Sequence, residues 1–566
     1  MRAIYLLSLV LLCAPSIGAS NSSWDTADWT RSFKLPKGQT RENIYDVSKT
    51  ELAKLRHNGY LHALQYPVSV TGLLIPIDPL EDFLDSDEKN PLRRLVVKIA
   101  KKRVGFNSVQ EMYDWIGLNP YNNNDEETGI YQIPYPGGEK PDYPMGVSVL
   151  NTKRGKGVTF SCATCHTSSL FGKSIMGLTN KRVRANQFFH MAKKTIPFIP
   201  SRIFKVGTRA SEEERLQFRR TKYNLNSIGA VDPQVLGLDT SLPQVALSLA
   251  RRKNDEYATK SKFLEKFPRR NVLDHFVADS KPAVWWNLKY KTRWLSDGSI
   301  VEGNPIFTNF LWNELGRGTD LKELEQWMKG NTEKIKELTA AAFSTQAPRW
   351  TDFFEASTID LASAKRGEKI FETSCAKCHG SYIKAWSHEN AEELNEVDIL
   401  ATTQVNYHEQ TPVKNVGTDP QRFQGMQHFS DRLNELKISK WMKTKVEPQK
   451  GYVPPPLVGI WARYPYFHNN SVPTLCALLS KVEERPKTFV QGPAVDKEAD
   501  FDSECVGYPV GENIPKDWFK DKDALFNTSR PGLRNTGHTK MFLDKKGNEL
   551  YSPSQKKDLI TFLKTL

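Results

Sequence analysis

Cysteine, histidine and methionine are all scarce in this chain, which has 7, 11 and 9 of them among 566 residues. So few cysteines exclude a disulfide-dense secreted scaffold. Long apolar runs are missing too. Beyond the N-terminus, no segment has the roughly 18 consecutive apolar residues that a transmembrane helix needs, so the sequence predicts no membrane span. Acidic residues are outnumbered, 65 against 79 Lys and Arg, which leaves a net charge of +14.

This positive charge is densest in the stretch "KNPLRRLVVKIAKKR", residues 89–103, where basic and apolar positions alternate at helical spacing. Such a pattern has two interpretations, a solvated helix face or a docking face for an acidic partner or an anionic surface. The sequence contains no nucleic-acid-binding motif, so we predict no nucleic-acid partner.

The N-terminus, "MRAIYLLSLVLLCAPSIGAS", has an early arginine, an apolar run and then small residues. This order is typical of a secretory signal peptide, and the run is too short for a membrane anchor. We therefore predict a signal peptide over residues 1–20 and a bacterial protein that is periplasmic or secreted. One cysteine, Cys13, leaves with this segment.

Four other cysteines form two pairs, each with two residues between the thiols and a histidine directly after the second. Thiols at this spacing form thioethers with the two vinyl groups of a porphyrin, and the adjacent imidazole binds the iron. A redox dithiol or half of a zinc site does not require that histidine. Chance would produce on the order of 0.002 such motifs. We predict two covalently bound haem c groups, one on Cys162, Cys165 and His166, the other on Cys375, Cys378 and His379.

Two cysteines then remain, Cys476 and Cys505. An even pair in an exported protein favours a disulfide between them. The alternative is two buried free thiols.

The surroundings of the two motifs differ. Before the second motif, Thr358 or Asp360 caps a helix with apolar residues at three- and four-residue steps, as at the start of a class I cytochrome c. Ser552 and Pro553 begin another amphipathic helix at the C-terminus, and we expect the two helices to pack together. The first motif follows short extended segments around a glycine-rich turn instead.

A chain of this length exceeds one ordinary core. We predict a mainly α-helical protein with two cytochrome c-type haem domains. The N-terminal haem domain spans residues 21–345 and is enlarged by irregular segments, and the C-terminal cytochrome c domain spans residues 346–566.

The function depends on the second axial position of each iron. A methionine or histidine there gives an electron-transfer haem, whereas an open position admits peroxide or dioxygen. The residues alone leave several candidates for each haem: Met176, His190, Met191 and His275 for the first, and Met426, His428, Met442, His468 and His538 for the second.

Four segments resemble the bacterial di-haem cytochrome c peroxidase superfamily, and especially its branch of rubber oxygenases. They are "GVTFSCATCHTSS", "GEKIFETSCAKCHG", "VPPPLVGIWARYPYFHNNSVPTLCALLSKVEERPKTF", and "GLRNTGH" with the terminal helix. The resemblance spans roughly residues 145–566. It implies that peroxide or dioxygen reacts at the N-terminal haem, while the C-terminal haem receives electrons from a redox partner protein or a small donor.

The resemblance also implies roles for single residues. In the rubber-oxygenase branch a second histidine near the C-terminus holds the C-terminal haem, which favours His538. Peroxidases more often use methionine there, which keeps Met426 and Met442 as alternatives. His468 would then be a loop residue near the edge of that haem.

A tryptophan lies between the haems in this family, which makes Trp285 or Trp286, in "AVWWNLKY", a candidate relay; the alternative is core packing. Phe307 and Phe310 are candidates for the wall of the first haem's pocket. The family often binds calcium between its domains, but no carboxylate-rich loop supports calcium in this sequence.

Three functions follow from these observations. The first is a cytochrome c peroxidase-like oxidoreductase. The alternatives are a rubber-oxygenase-like dioxygenase and a non-catalytic electron-transfer cytochrome with both haems six-coordinate.

Overall fold

The computed structural model describes residues 25–85 and 91–566, so the predicted signal peptide lies outside the described residues. Helices predominate, as predicted. The α-helices are α1 (Lys49–Leu64), α2 (Ile77–Asp85), α3 (Pro91–Val104), α4 (Val109–Ile116), α5 (Ala163–His166), α6 (Ala185–Thr195), α7 (Ser201–Thr208), α8 (Glu212–Asn226), α9 (Ser241–Ala250), α10 (Lys262–Lys266), α11 (Pro305–Gly316), α12 (Leu321–Gly330), α13 (Thr332–Ser344), α14 (Leu361–Ser374), α15 (Ala376–His379), α16 (Gln421–Gly425), α17 (Ser430–Glu435), α18 (Lys437–Trp441), α19 (Leu475–Leu478) and α20 (Pro553–Lys564).

The strands are short and form small antiparallel sheets. They are β1 (Ile75–Pro76), β2 (Val147–Thr152), β3 (Gly155–Phe160), β4 (Thr167–Leu170), β5 (Lys173–Met176), β6 (Ile300–Glu302), β7 (Ser381–Lys384), β8 (Thr402–Asn406), β9 (Lys445–Val446), β10 (Thr488–Val490) and β11 (Leu525–Asn527). The largest sheet has the order β1-β3-β2. Its β2–β3 hairpin leads directly into the first Cys-x-x-Cys-His motif, which confirms the extended segments predicted there.

The second motif is reached through a helix pair. Asp360 caps α14, and Ser552 forms a capping box with Gln555 at the start of α20, so both predicted helices are confirmed. The two helices pack together closely at Gly367, where an added Cβ atom would lie 2.0 Å from the carbonyl oxygen of Asp558. The Asp558 side chain accepts hydrogen bonds from α14, which fixes the second motif against the C-terminus.

Two hydrophobic cores draw on both halves of the chain. The core around α11 and α13 also contains Met426 and Met442, which come from beyond residue 345. In the other direction, Leu178 and Trp286 pack into the core that holds α14 and α20. β6 pairs with β9 across the same divide. The two haem motifs therefore sit on different cores that interlock.

Further features bear on the sequence predictions. A disulfide joins Cys476 and Cys505. In the basic segment, α3 exposes Arg94, Lys98 and Lys102 to solvent. Among residues 25–85 and 91–566, no helix combines the length and apolar character needed to cross a membrane.

Candidate functional site

Both Cys-x-x-Cys-His motifs adopt the same local conformation. Each forms a single helical turn, α5 or α15, that begins after the first cysteine. In each turn the histidine amide donates a hydrogen bond of 3.0 Å to the carbonyl of the first cysteine, His166 to Cys162 and His379 to Cys375. All four thiols are free. This conformation places two thiols and one imidazole along the same cavity wall.

The two motifs share one cavity, whose volume is about 480 Å³. Burial raises the pKa of Cys162 to about 11 and that of Cys375 to about 12. Reactive redox dithiols need the opposite, a lowered pKa that populates the thiolate. The raised pKa of Cys162 and Cys375 does not match the reactive thiolate of a redox dithiol, whereas two thiols followed by a histidine along one cavity fit porphyrin attachment.

Each motif histidine is held for metal binding. The Nδ1 atom of His166 lies 2.9 Å from the carbonyl oxygen of Ala283, and that of His379 lies 2.8 Å from the carbonyl oxygen of Pro455. A hydrogen bond of this kind fixes the ring and leaves Nε2 for the metal. Burial lowers the pKa of both imidazoles to about 4, so both are neutral at pH 7. Thiols, imidazoles and cavity together fit a covalently bound haem at each motif.

His538 lies opposite His379 across the cavity. The two ring centroids are 6.2 Å apart. With nitrogen–metal distances near 2 Å, imidazoles on opposite sides of one metal have centroids about 6 Å apart. The amide of His538 donates a 2.8 Å hydrogen bond to the carbonyl of Val416. Burial lowers the pKa of His538 to about 3, and the nearby His379 makes a smaller contribution in the same direction. The structure thus brings together the two histidines that the resemblance pairs.

The other candidates for the second haem lie elsewhere. His468 lines the cavity, but its ring stacks on Tyr452 with centroids 3.8 Å apart. Met426 and Met442 are buried in the core around α11 and α13 and do not line the cavity. His428 also lies away from the cavity wall. Met541, three residues after His538, does line the cavity, and no motif in the sequence singles it out.

None of the four candidates for the first haem lines the cavity wall formed by the described residues. Met176 accepts a hydrogen bond from Thr167 within the β4–β5 hairpin. His190 lies 3.4 Å from Asp232. Met191 packs beside a separate cluster, and the His275 side chain is 91% exposed. Within the described part of the chain, none of these four residues therefore shares the cavity wall with His166.

The two tryptophans of the relay prediction point into different cores. Both lie on a short 3-10 turn, Trp285–Tyr290. Trp285 lines the cavity, and its ring centroid is 5.4 Å from that of His166. Trp286 is fully buried in the C-terminal core, where its Nε1 donates a 2.9 Å hydrogen bond to the carbonyl of Val458. The adjacent indoles thus connect the surroundings of the two motifs.

The aromatic wall differs from the sequence prediction in one residue. Phe307 does not line the cavity; it is buried against Trp441, with ring centroids 5.2 Å apart. Phe310, one helical turn later on α11, lines the cavity instead. Three residues along a helix correspond to about 300° of rotation, so a loose alignment does not fix which phenylalanine faces the pocket.

The cavity lining is strongly cationic, which the sequence did not reveal because the residues are scattered along the chain. Asp239 is the one acidic residue among the described lining residues. Burial raises its pKa, so its carboxyl group is suited to hold a proton. Such a lining suits the negatively charged propionates of porphyrins, since guanidinium and ammonium groups pair with carboxylates. Burial lowers the pKa of Lys281 and lowers that of Lys291 to about 7, so the positive charge rests mainly on the other basic side chains. The basic side chains are Lys281, Lys291, Lys414, Arg317, Arg422 and Arg463.

Among the described residues, no group of three or more His, Cys, Asp or Glu side chains is placed to hold a metal ion, so the structure adds no evidence for a calcium site.

Residues 451–490 match a family model described as RoxA-like, cytochrome c-like. This segment is therefore cytochrome c-like, and a cytochrome c-like domain implies covalently bound haem c. Two proteins of Sinorhizobium fredii, each named as an uncharacterized protein, are similar over longer stretches. y4iJ is 31% identical over 297 residues, 43% of this chain and 45% of the relative. y4iM is 29% identical over 231 residues, 37% of this chain and 49% of the relative. The chain thus matches about half the length of either curated relative.

Proposed function

We propose that this protein is an exported di-haem c-type cytochrome oxidoreductase. Peroxide or dioxygen reacts at the N-terminal site on His166, and the C-terminal site on His379 relays the electrons. One observation carries the proposal: the ring of a second histidine, His538, lies 6.2 Å from that of His379, whereas none of the four candidate ligands of the first haem lines the cavity wall formed by the described residues. This asymmetry is the one expected when one site transfers electrons and the other reacts.

A c-type haem at each site supplies an iron that exchanges single electrons and, where an axial position is open, binds an oxidant. At the C-terminal site, His379 and His538 would hold the iron, and the Pro455 carbonyl fixes the His379 ring. With two histidine ligands, the site would leave no position for an oxidant. A site closed in this way changes little during electron transfer, which favours a relay role.

At the N-terminal site, the chain provides groups that hold charge and protons. Arg317 lies close enough to Cys162 and Cys165 to affect the pKa of both thiols, and Asp239 affects that of Cys165. Reduction of peroxide or dioxygen consumes protons, and a buried carboxyl group with a raised pKa is suited to deliver them. We therefore assign proton delivery to Asp239 and charge stabilisation to Arg317.

Trp285 and Trp286 are the proposed relay between the sites. The support is positional, since Trp285 lies beside His166 and Trp286 lies in the core that carries the second motif. Both indoles are buried, which keeps solvent away from a transient charge. Replacing either with Phe keeps an aromatic ring but removes the more easily oxidised indole, and should slow electron exchange between the sites without loss of haem.

The test is an EPR spectrum of the oxidised protein before and after addition of hydrogen peroxide, for the wild type and for His166→Ala and His379→Ala. We expect one high-spin and one low-spin signal, with peroxide changing the high-spin signal only. His166→Ala should alter the high-spin signal and His379→Ala the low-spin one. Two low-spin signals that peroxide leaves unchanged, before and after partial reduction, would favour a purely electron-transferring cytochrome.

A second candidate is a rubber-oxygenase-like dioxygenase, which the RoxA-like match of residues 451–490 favours. The oxidant distinguishes the two reactions. A dioxygenase consumes dioxygen with a polyisoprene substrate and forms carbonyl products, without peroxide or an external electron donor. A peroxidase requires both peroxide and a reduced donor. Measuring dioxygen uptake with polyisoprene, against peroxide-dependent oxidation of a reduced cytochrome, assigns the reaction.

A further inference from the structure

Three large apolar side chains project into solvent within nine residues, around the end of α6 and along α7. Phe198 is 77% exposed, Ile203 is 64% exposed and Val206 is 79% exposed. Single exposed apolar residues are ordinary on protein surfaces, but a contiguous group marks an interaction site. The buried side of α7 is already occupied, since Phe204 stacks on Phe218 of α8 with centroids 3.9 Å apart.

A second apolar group projects from α10. Phe263 is 69% exposed and Phe267 is 57% exposed, and their ring centroids are 5.5 Å apart. Ser261 caps this short helix by accepting a hydrogen bond from the Leu264 amide. The cap fixes the helical turn that holds both rings outward.

Helix α8 lies beside both groups. Lys222 donates a 2.8 Å hydrogen bond from Nζ to the carbonyl of Ile199, beside the first group. The next residue, Tyr223, is 40% exposed, and the Nζ atom of Lys260, close to α10, lies 5.1 Å from its ring centroid. Each group therefore lies beside α8, and we call the exposed side chains of Phe198, Ile203, Val206, Phe263 and Phe267 together the apolar tip face.

Cations surround these apolar tips. Lys194 and Arg202 are exposed beside the first group, and Lys262, Lys266 and Arg270 are exposed beside the second. Of the exposed acids at the start of α8, Glu212 is paired with Lys205 and Arg215, and Glu213 lies within 4.0 Å of Arg154. Separate apolar tips among cations suit a fluid anionic surface, because the tips enter the boundary of the acyl chains while the cations meet phosphate groups. An acidic folded protein would instead need a shaped groove or a flat patch.

We propose that the apolar tip face binds the surface of an anionic phospholipid bilayer. This peripheral contact is independent of the haem chemistry proposed above. It also has a consequence for that chemistry: α6 carries Phe189, which lines the cavity, and ends at the apolar tip face. Membrane binding would thus hold the N-terminal site close to the lipid surface.

The test is co-sedimentation of the purified, haem-loaded protein with vesicles of phosphatidylglycerol and phosphatidylcholine, and with vesicles of phosphatidylcholine alone. We expect binding to the anionic vesicles only, weakening as salt rises from about 0.05 to 0.5 M because the charges are screened. The triple variant Phe198→Ser, Ile203→Ser and Val206→Ser should bind at least about tenfold more weakly, since affinity grows with the apolar area inserted.

A matched control replaces three exposed apolar residues of the C-terminal half, Phe519→Ser, Val495→Ser and Leu550→Ser. It should bind vesicles like the wild type. Equal losses in both triple variants, unchanged binding in the first, no binding of the wild type to anionic vesicles, or equal binding to neutral vesicles would each overturn the proposal. So would capture of an acidic protein by this face without vesicle binding. Haem absorbance and thermal unfolding verify that the variants are folded.

Discussion

Replacing His538 is the sharpest test of how the C-terminal site is built. In the structure its imidazole lies at a centroid distance of 6.2 Å from that of His379, and both rings line the cavity. His538→Ala should convert the second haem from low to high spin, because one axial ligand is lost. The expected loss is the low-spin EPR intensity of one haem per chain. The signal of the N-terminal haem should keep its intensity.

The backbone at His538 allows a second, quantitative comparison. Its φ is +58°, in the left-handed region that glycine adopts without steric cost. A residue with a Cβ atom costs about 1 kcal/mol there. The His538→Gly variant should therefore be more stable than the His538→Ala variant, with a free energy of unfolding higher by about 1 kcal/mol. Both variants lose the imidazole of residue 538. Chemical denaturation followed by haem absorbance measures this difference.

Two controls separate ligation from general disturbance. Free imidazole added to His538→Gly should occupy the space left by the side chain and restore the low-spin spectrum. His468→Ala should leave the spin state unchanged, since His468 stacks on Tyr452 rather than facing His379. A low-spin haem in His538→Ala, together with a high-spin haem in His468→Ala, would refute the assignment.

The remaining predictions concern stability. Gly367→Ala should lower the free energy of unfolding by about 1–3 kcal/mol, because the new Cβ atom would lie 2.0 Å from the Asp558 carbonyl of α20. Gly330→Ala is the matched control and should not lower it in this way, because the space around Gly330 is open. Hydrogen bonds from α14 hold the pKa of Asp558 below its ordinary value, so its stabilisation is complete above about pH 4 and is lost as pH falls further. Asp558→Asn should therefore be less stable than wild type at pH 7, and pH-dependent unfolding should show the difference closing as pH falls below the ordinary carboxyl pKa of about 4. Replacing Cys476 and Cys505 with Ser opens a loop of sequence separation 29 and should cost about 3–4 kcal/mol in denaturant unfolding.

Local signals were strong enough to predict the helices around the second motif. Asp360 and Ser552 are capping residues directly before amphipathic runs, and such caps satisfy backbone amides whatever the rest of the fold does. The two Cys-x-x-Cys-His turns follow from the covalent chemistry of thioether attachment, which fixes the spacing. In each case the information lies within a few residues of sequence, so no tertiary knowledge was needed.

The shared cavity could not be predicted in the same way. Arg463 and Lys291 line it from segments 172 residues apart, and Phe310 rather than Phe307 faces it because of the rotation of α11. Which side chains converge depends on how the two cores interlock, and that is set by long-range packing such as Met426 inserting beside α11. This interlocking has a functional consequence. Because each core contains residues from both halves, neither haem site is expected to form alone, and separate expression of residues 21–345 and 346–566 should yield no stable haem protein.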